Sequence, residues 1–321
     1  MNEKIRSRGM YREFAVPSLI LLATDLQDDL DYLLPHAVAQ ARASGAKLVL
    51  LHVVPPAEHS ELDTTALLPA DAAEAEQEAK RKLCTIAAGL QSKGIRSDVI
   101  VRHGQPAAVV PEVAKVIGAG RVIMGTHGRH WMKPLLGSVA SEILHNIEVP
   151  VCTIGPHVPS GLTEGCHRIL HPVSFSEGHE HSARIALEIA QFSQAEITML
   201  HVMPRDAHRE FESEELLEWT RTKLERLIPA EAPLWICSVV KVETGAVVDE
   251  ILKVADERKA DLIVLGVGSD MSFWPFGGET TAYEIIRQVK CPVITVRRPA
   301  IPKEARKQYW EETVASAGPF P

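Results

Sequence analysis

The sequence predicts an α/β fold built twice: two tandem doubly wound domains, each a five-stranded parallel sheet with helices on both faces. Two observations predict it. Short apolar runs alternate with stretches of helical periodicity, and the whole series then repeats itself. ILLATDL (20–26) matches ILHPVSF (169–175), and LVLLHVVP (48–55) matches ITMLHVMP (197–204), both at an offset of 149. Gly104 and Gly245, like Gly125 and Gly266, lie 141 apart, and VPVCTI (149–154) matches CPVITV (291–296) at 142. The fall from 149 to 141 places an eight-residue deletion after the second strand of the second copy. There the first copy carries a polar stretch with prolines, which tolerates a change of length. The domains expected are residues 16–156 and 166–299, with a Gly- and Pro-containing linker over 157–165 and a tail over 300–321.

Each element follows from local pattern. Residues 19–24 form a continuous apolar run ending at Asp25, the mark of a strand buried on both faces. Leu30, Leu33, Leu34, Ala37, Val38 and Ala41 follow helical spacing until Ser44-Gly45 stops them. Lys47–Val54 is the second strand, 72–90 a charged Ala-rich helix, and 98–102 the third strand. Pro106 opens a helix carrying Val109, Val110, Val113, Ala114 and Ile117, closed by Gly118. Arg121–Gly125 is the fourth strand, Ser138–Asn146 a short helix, and 149–154 the fifth strand. The second copy gives strands over 168–173, 196–202, 235–242, 261–266 and 292–297. Its helices are 179–193, 211–227, 247–258 and 280–288. Strands alternating with helices require right-handed crossovers and hence parallel sheets.

Composition narrows the class. The chain has 321 residues, 45% hydrophobic and 24% charged, which is ordinary for a globular protein. A net charge of −8 argues against nucleic acid as a partner. No apolar run reaches the roughly 18 residues of a membrane span. Five scattered cysteines, never as CxxC, predict reduced thiols and a cytoplasmic location.

Ligands of open parallel sheets bind beyond the carboxyl ends of the strands, where the strand order reverses. Asp25, His52-Val53 and Gly125 all sit at such ends, so three separated segments converge on one edge. The stretch 122–139, VIMGTHGRHWMKPLLGSV, then reads as strand, glycine-bearing loop and helix start. Gly125 and Gly128 let backbone approach a ligand, and Gly137-Ser138 opens a helix whose N–H groups favour an anion. The phosphates of a nucleotide are the expected occupant. His127, inside the loop, is a candidate beside phosphate. His52 and His201 close equivalent strands, where a structural hydrogen bond is the expectation. No GxxxxGK[ST], strand-borne GxGxxG, G-x-S-x-G or zinc-ligand spacing is present.

At these residues the chain resembles the universal stress protein family in its tandem form, over about 16–298. The family motif, G-x2-G-x9-G-[ST] with an aspartate closing the first strand, is matched by Thr24-Asp25, Gly125-Thr-His-Gly128 and Gly137-Ser138-Val139. The resemblance implies a Rossmann-like domain of the adenine nucleotide alpha hydrolase type. It also implies ATP, with or without Mg2+, as cofactor: adenine and ribose near Thr24, Asp25, Val53 and Met124, and phosphates at Gly125, Gly128, Gly137 and Ser138. It further implies that the last strands of the two domains pair, making an intrachain pseudo-dimer, with a homodimer of chains compatible. One departure stands: eight residues, Pro134 among them, separate Gly128 from Gly137 where the family has nine.

The second copy departs further. Ser174 replaces the aspartate, Ser269 the second glycine, and Glu279 in GGETT brings a negative charge to a helix start meant for phosphate. The expectation is a stress-response protein with one adenine-nucleotide site, in its first half. The second half is then structural or regulatory. With neither a general base nor a metal-binding carboxylate beside the loop, the chain is expected not to be an enzyme beyond slow ATP hydrolysis. The rival reading is an interaction module that keeps the fold and uses neither site.

Overall fold

The computed structural model describes residues 16–26, 30–56, 69–126, 137–159, 165–175, 179–203, 214–230, 232, 236–267 and 281–297. The strands are β1 (Leu19–Ala23), β2 (Lys47–Val54), β3 (Ser97–His103), β4 (Arg121–Gly125), β5 (Val151–Ile154), β6 (Arg168–Pro172), β7 (Glu196–Met203), β8 (Ser238–Thr244), β9 (Leu262–Val267) and β10 (Val293–Arg297). The helices are α1 (Leu30–Ser44), α2 (Pro69–Ser92), α3 (Pro106–Val116), α4 (Ser138–Asn146), α5 (His179–Ser193), α6 (Glu214–Glu225), α7 (Val247–Arg258) and α8 (Thr281–Gln288). Equivalent elements keep the repeat offsets: β1 and β6 start 149 apart, β3 and β8 141, β5 and β10 142.

Several boundaries shift from the sequence reading by a few residues, and two of them have plain local reasons. Helix α2 starts at Pro69, three residues before the predicted start, because proline is tolerated in a first turn. Strand β8 starts at Ser238, not 235, and runs on to Thr244 in register with β7 from Ile197↔Ser238 to Met203↔Thr244. The apolar letters before it misled: the Ile236 amide donates to the Ala232 carbonyl, at 2.9 Å.

All ten strands form one sheet, in the order β3-β2-β1-β4-β5-β10-β9-β6-β7-β8. Every pairing is parallel except β5 with β10, where the halves join antiparallel. Side chains alternate between two cores. Ile20, Leu22, Leu48, Leu50 and Ile123 face α1 and α2, with Ile169 and Ile197 on the same side against α5 and α6. Leu21, Val49, Leu51, Val53, Val122 and Met124 face α3 and α4, continuous with Leu170, Ile263 and Leu265 beneath α7 and α8. Each core therefore draws on both halves.

The seam is nearly two-fold. Its centre pairs Cys152 with Ile294, flanked by Thr153↔Val293 and Val151↔Thr295. The Thr153 hydroxyl donates to the Val293 carbonyl at 3.1 Å, and the Thr295 hydroxyl to the Val151 carbonyl at 3.3 Å. These are the same contact made twice, the signature of an isologous interface. The expected pseudo-dimer through the last strands is present.

Candidate functional site

In the first half the strand order reverses between β1 and β4, and the chain leaves the sheet there in opposite directions. A cleft of about 280 Å³ opens at that point, on the face covered by α3 and α4. Its floor is Leu51, Val53 and Met124; Pro106 and Val110 of α3 form one wall, Val139, Ala140 and Ile143 of α4 another. Thr24, Asp25, Gly125, Thr126, Gly137 and Ser138 complete the rim. Of the expected site residues, Thr24, Asp25, Val53, Met124, Gly125, Gly137, Ser138 and Val139 thus meet in one cleft. His127 and Gly128 lie outside the described residues, as do Pro134 and Trp131.

Local bonding explains the rim. The Thr24 amide donates to the Leu51 carbonyl and the His52 Nδ1–H to the Thr24 carbonyl, both at 3.0 Å, which ends β1 against β2. The Thr24 hydroxyl then accepts from the Leu26 amide at 3.0 Å, and Leu26 turns the chain at φ 61°. The second half repeats this with His201 on the Val173 carbonyl at 2.7 Å and Phe175 at φ 52°. Both histidines therefore have the structural role expected of them.

Gly125 and Gly137 are glycines for different reasons. A Cβ on Gly125 would stand 2.6 Å from the Tyr32 hydroxyl, so the missing side chain admits α1, while its backbone lines the cleft. Gly266 in turn leaves room for the Ser182 hydroxyl at 2.6 Å. Gly137 donates its amide to the Thr126 carbonyl at 3.0 Å, and a Cβ there would sit 3.4 Å from the same oxygen. This bond ties the start of α4 to the residue that follows β4.

The Asp25 carboxylate and two helix starts set the electrostatics of the cleft. Helix α4 begins at Gly137 with no side-chain cap and no acidic residue in its first turn. The α3 start, with Pro106 in its first turn, likewise has neither. Their leading N–H groups therefore present uncompensated positive potential. The α4 start lies at the rim, and Val53, Val110, Met124 and Val139 give the cleft an apolar lining. Among the described residues no group of three or more His, Cys, Asp or Glu side chains could hold a metal.

Helix α7 of the second half differs from α3: it carries Asp249 and Glu250 in its first turn, where α3 has Ala108 and Val109. Glu284 of α8 has its counterpart in Glu142 of α4. Glu250 stands where the first half has Val109, and its Oε1 lies 2.8 Å from where a Cβ on Gly245 would be. Lys253 pairs with it at 2.8 Å. Ser174, in place of Asp25, is exposed, and Ser269 and Glu279 lie outside the described residues. Sequence reasoning missed Glu250, and also Pro106, Val110 and Thr126 as cleft residues. The 141-residue offset that aligns Val109 with Glu250 held the first of these signals.

The sequence profile of the universal stress protein family matches residues 18–154 and again 165–297. The chain belongs to that family. Among curated relatives, universal stress protein MJ0577 of Methanocaldococcus jannaschii is 27% identical over 150 residues, 42% of this chain and 93% of that protein. Universal stress protein A homolog 2 of Coxiella burnetii is 33% identical over 141 residues, 42% of this chain and 92% of that protein. Each thus matches about one half. A crystal structure of a universal stress protein from Archaeoglobus fulgidus matches across both, with a TM-score of 0.68 at 22% identity, covering 89% of this chain and 98% of that one. That likeness shows the tandem fold.

Proposed function

We propose that this universal stress protein binds one adenine nucleotide, ATP, in its first-half cleft, as a ligand or switch and not as a substrate of rapid turnover. The observation that carries the reading is the coincidence of an apolar slot at the switch point with two helix starts free of caps and acids. In this reading Asp25 accepts from a ribose hydroxyl or the adenine amino group. The Ser138 hydroxyl and the first amides of α4 meet the phosphates. Val53, Met124 and Val139 flank the base. His127 and Gly128 belong to the same loop and are proposed beside the phosphates on the strength of the motif. The second half, with Asp249 and Glu250 at the start of α7 and Ser174 in place of Asp25, is weak or silent for nucleotide and serves a structural or regulatory role. The protein acts in the cytoplasm, its domains being residues 16–156 and 166–299.

Titration calorimetry on the full chain tests this. One equivalent of ATP is expected to bind per chain, and Asp25→Ala to weaken it by roughly tenfold or more, the worth of a lost hydrogen bond to a charged group. Absence of binding at millimolar ATP, or an Asp25→Ala chain that matches the parent, would overturn it.

A further inference from the structure

Helix α4 is only nine residues long, too short to hold its place without tertiary support. Its N-terminus faces the cleft, and its body is held from the other half of the molecule. The Tyr283 hydroxyl of α8 donates to the Ser141 carbonyl at 3.3 Å. The Arg297 guanidinium, at the end of β10, donates to the Leu144 carbonyl at 3.4 Å. Leu144 lies in the last turn of α4, where carbonyls have no intrahelical partner, so Arg297 caps the helix and complements its negative end. Tyr283 is buried, at 7% exposure, in the core beneath α8.

These contacts run one way. The 142-residue offset equates Ser141 with Tyr283, Leu144 with Ile286 and Gly155 with Arg297. In a symmetric seam each bond would appear twice, as the threonine bonds do. Here the reverse positions hold Ser141, whose side chain is short, and Gly155, which has none. Gly155 instead lies so close that a Cβ would stand 2.7 Å from the Ile286 carbonyl. The second half thus extends two long side-chain donors onto the helix of the first-half cleft, and the equivalent first-half positions have none to return.

We propose that Tyr283 and Arg297 are positioning residues for α4, through which the second half sets the affinity of the first-half cleft for the phosphates of its ligand. This rests on the nucleotide reading above. The half without a nucleotide site then has a defined role, which is to hold the helix start where phosphate binds. A partner or modification that draws β10 or α8 away from α4 would lower nucleotide affinity without touching the cleft.

The test uses the full chain with Tyr283→Phe and Arg297→Met combined, and Arg297→Lys as the conservative change. Amide hydrogen exchange over 138–146 is read without ligand, and calorimetry compares ATP with adenosine, which lacks phosphates. The double variant is expected to exchange faster over α4 and to bind ATP more weakly, each by roughly three- to tenfold for two modest hydrogen bonds. Adenosine affinity stays that of the parent, and Arg297→Lys recovers part of the ATP affinity. Unchanged α4 exchange, unchanged ATP affinity, or equal loss for ATP and adenosine overturns the positioning role. If the parent binds neither ligand, the nucleotide reading itself fails and takes this role with it; parent binding with an unaffected variant fails the positioning role alone.

Discussion

His171 shows what one residue of a duplicated fold can change. The first half has Leu22 at the equivalent place, buried in the core under α1. His171 is equally buried, at 0% exposure; its Nδ1–H donates to the Val264 carbonyl at 2.8 Å, and its Nε2 has no hydrogen-bond partner among the described residues. Burial, chiefly, pushes its pKa down to about 4; the Val264 bond works against that, and the neighbouring His179 adds to it. The unfolded chain keeps an ordinary histidine, near 6.5. As pH falls below that value the unfolded chain takes up a proton that the folded one refuses, so stability is full at neutral pH and falls until about pH 4. The loss from this residue is about 3 kcal/mol over that window. Replacing it with its first-half counterpart, His171→Leu, is expected to flatten most of the slope in urea unfolding between pH 7 and pH 4.5. His36 and His201, both lowered by burial, leave a remainder of the same sign. Parallel slopes for parent and variant would show that the ring is solvated or paired in solution.

At the scale of elements, the hardest constraint is the approach of the chain after β5 to helix α8. Gly155 is the residue where a side chain has no room, because the obstacle is the Ile286 backbone carbonyl and not a movable side-chain tip. Gly155→Ala is expected to destabilise the chain by roughly 1–3 kcal/mol, the usual cost of forcing extra volume into a close contact, read as a shift in denaturation midpoint. An unchanged midpoint would mean the seam can open at no cost. The sequence made most of the architecture legible, since the strand and helix periods and the repeat offsets are local patterns that tertiary contacts did not override. It also marked Asp25, Val53, Met124, Gly125 and the Gly137-Ser138 helix start, all of which the fold brings to one cleft. What it hid was pairwise. That Gly125 yields space to Tyr32 and that Gly155 yields it to Ile286 depend on which elements meet. No spacing along the chain encodes that. The early start placed for β8 failed similarly, because apolar letters alone do not show that the Ile236 amide bonds back to the Ala232 carbonyl.

At the scale of the molecule, the ten-stranded sheet implies that the halves share their stability. Both cores cross the seam, and Ile294, 1% exposed, sits at its centre opposite Cys152, which is fully buried. If the halves were independent domains tied by a linker, a cavity in β10 would loosen the second half and leave the first as it was. The shared cores predict otherwise. Ile294→Ala removes buried volume from a core that also contains Leu22, Leu50 and Ile123 of the first half, at a cost of roughly 2–5 kcal/mol. That loss is expected in one cooperative transition, with amide exchange in β1 and β6 accelerating by the same factor. Exchange that rises in β6, β9 and β10 while β1 keeps its protection would show two units that unfold separately. Shared stability is also what lets Tyr283 and Arg297 act on α4: a helix can be positioned only by a neighbour that stays folded when it does. A chain whose halves unfolded apart would lose that hold first, and with it the placing of the helix start at the rim of the cleft.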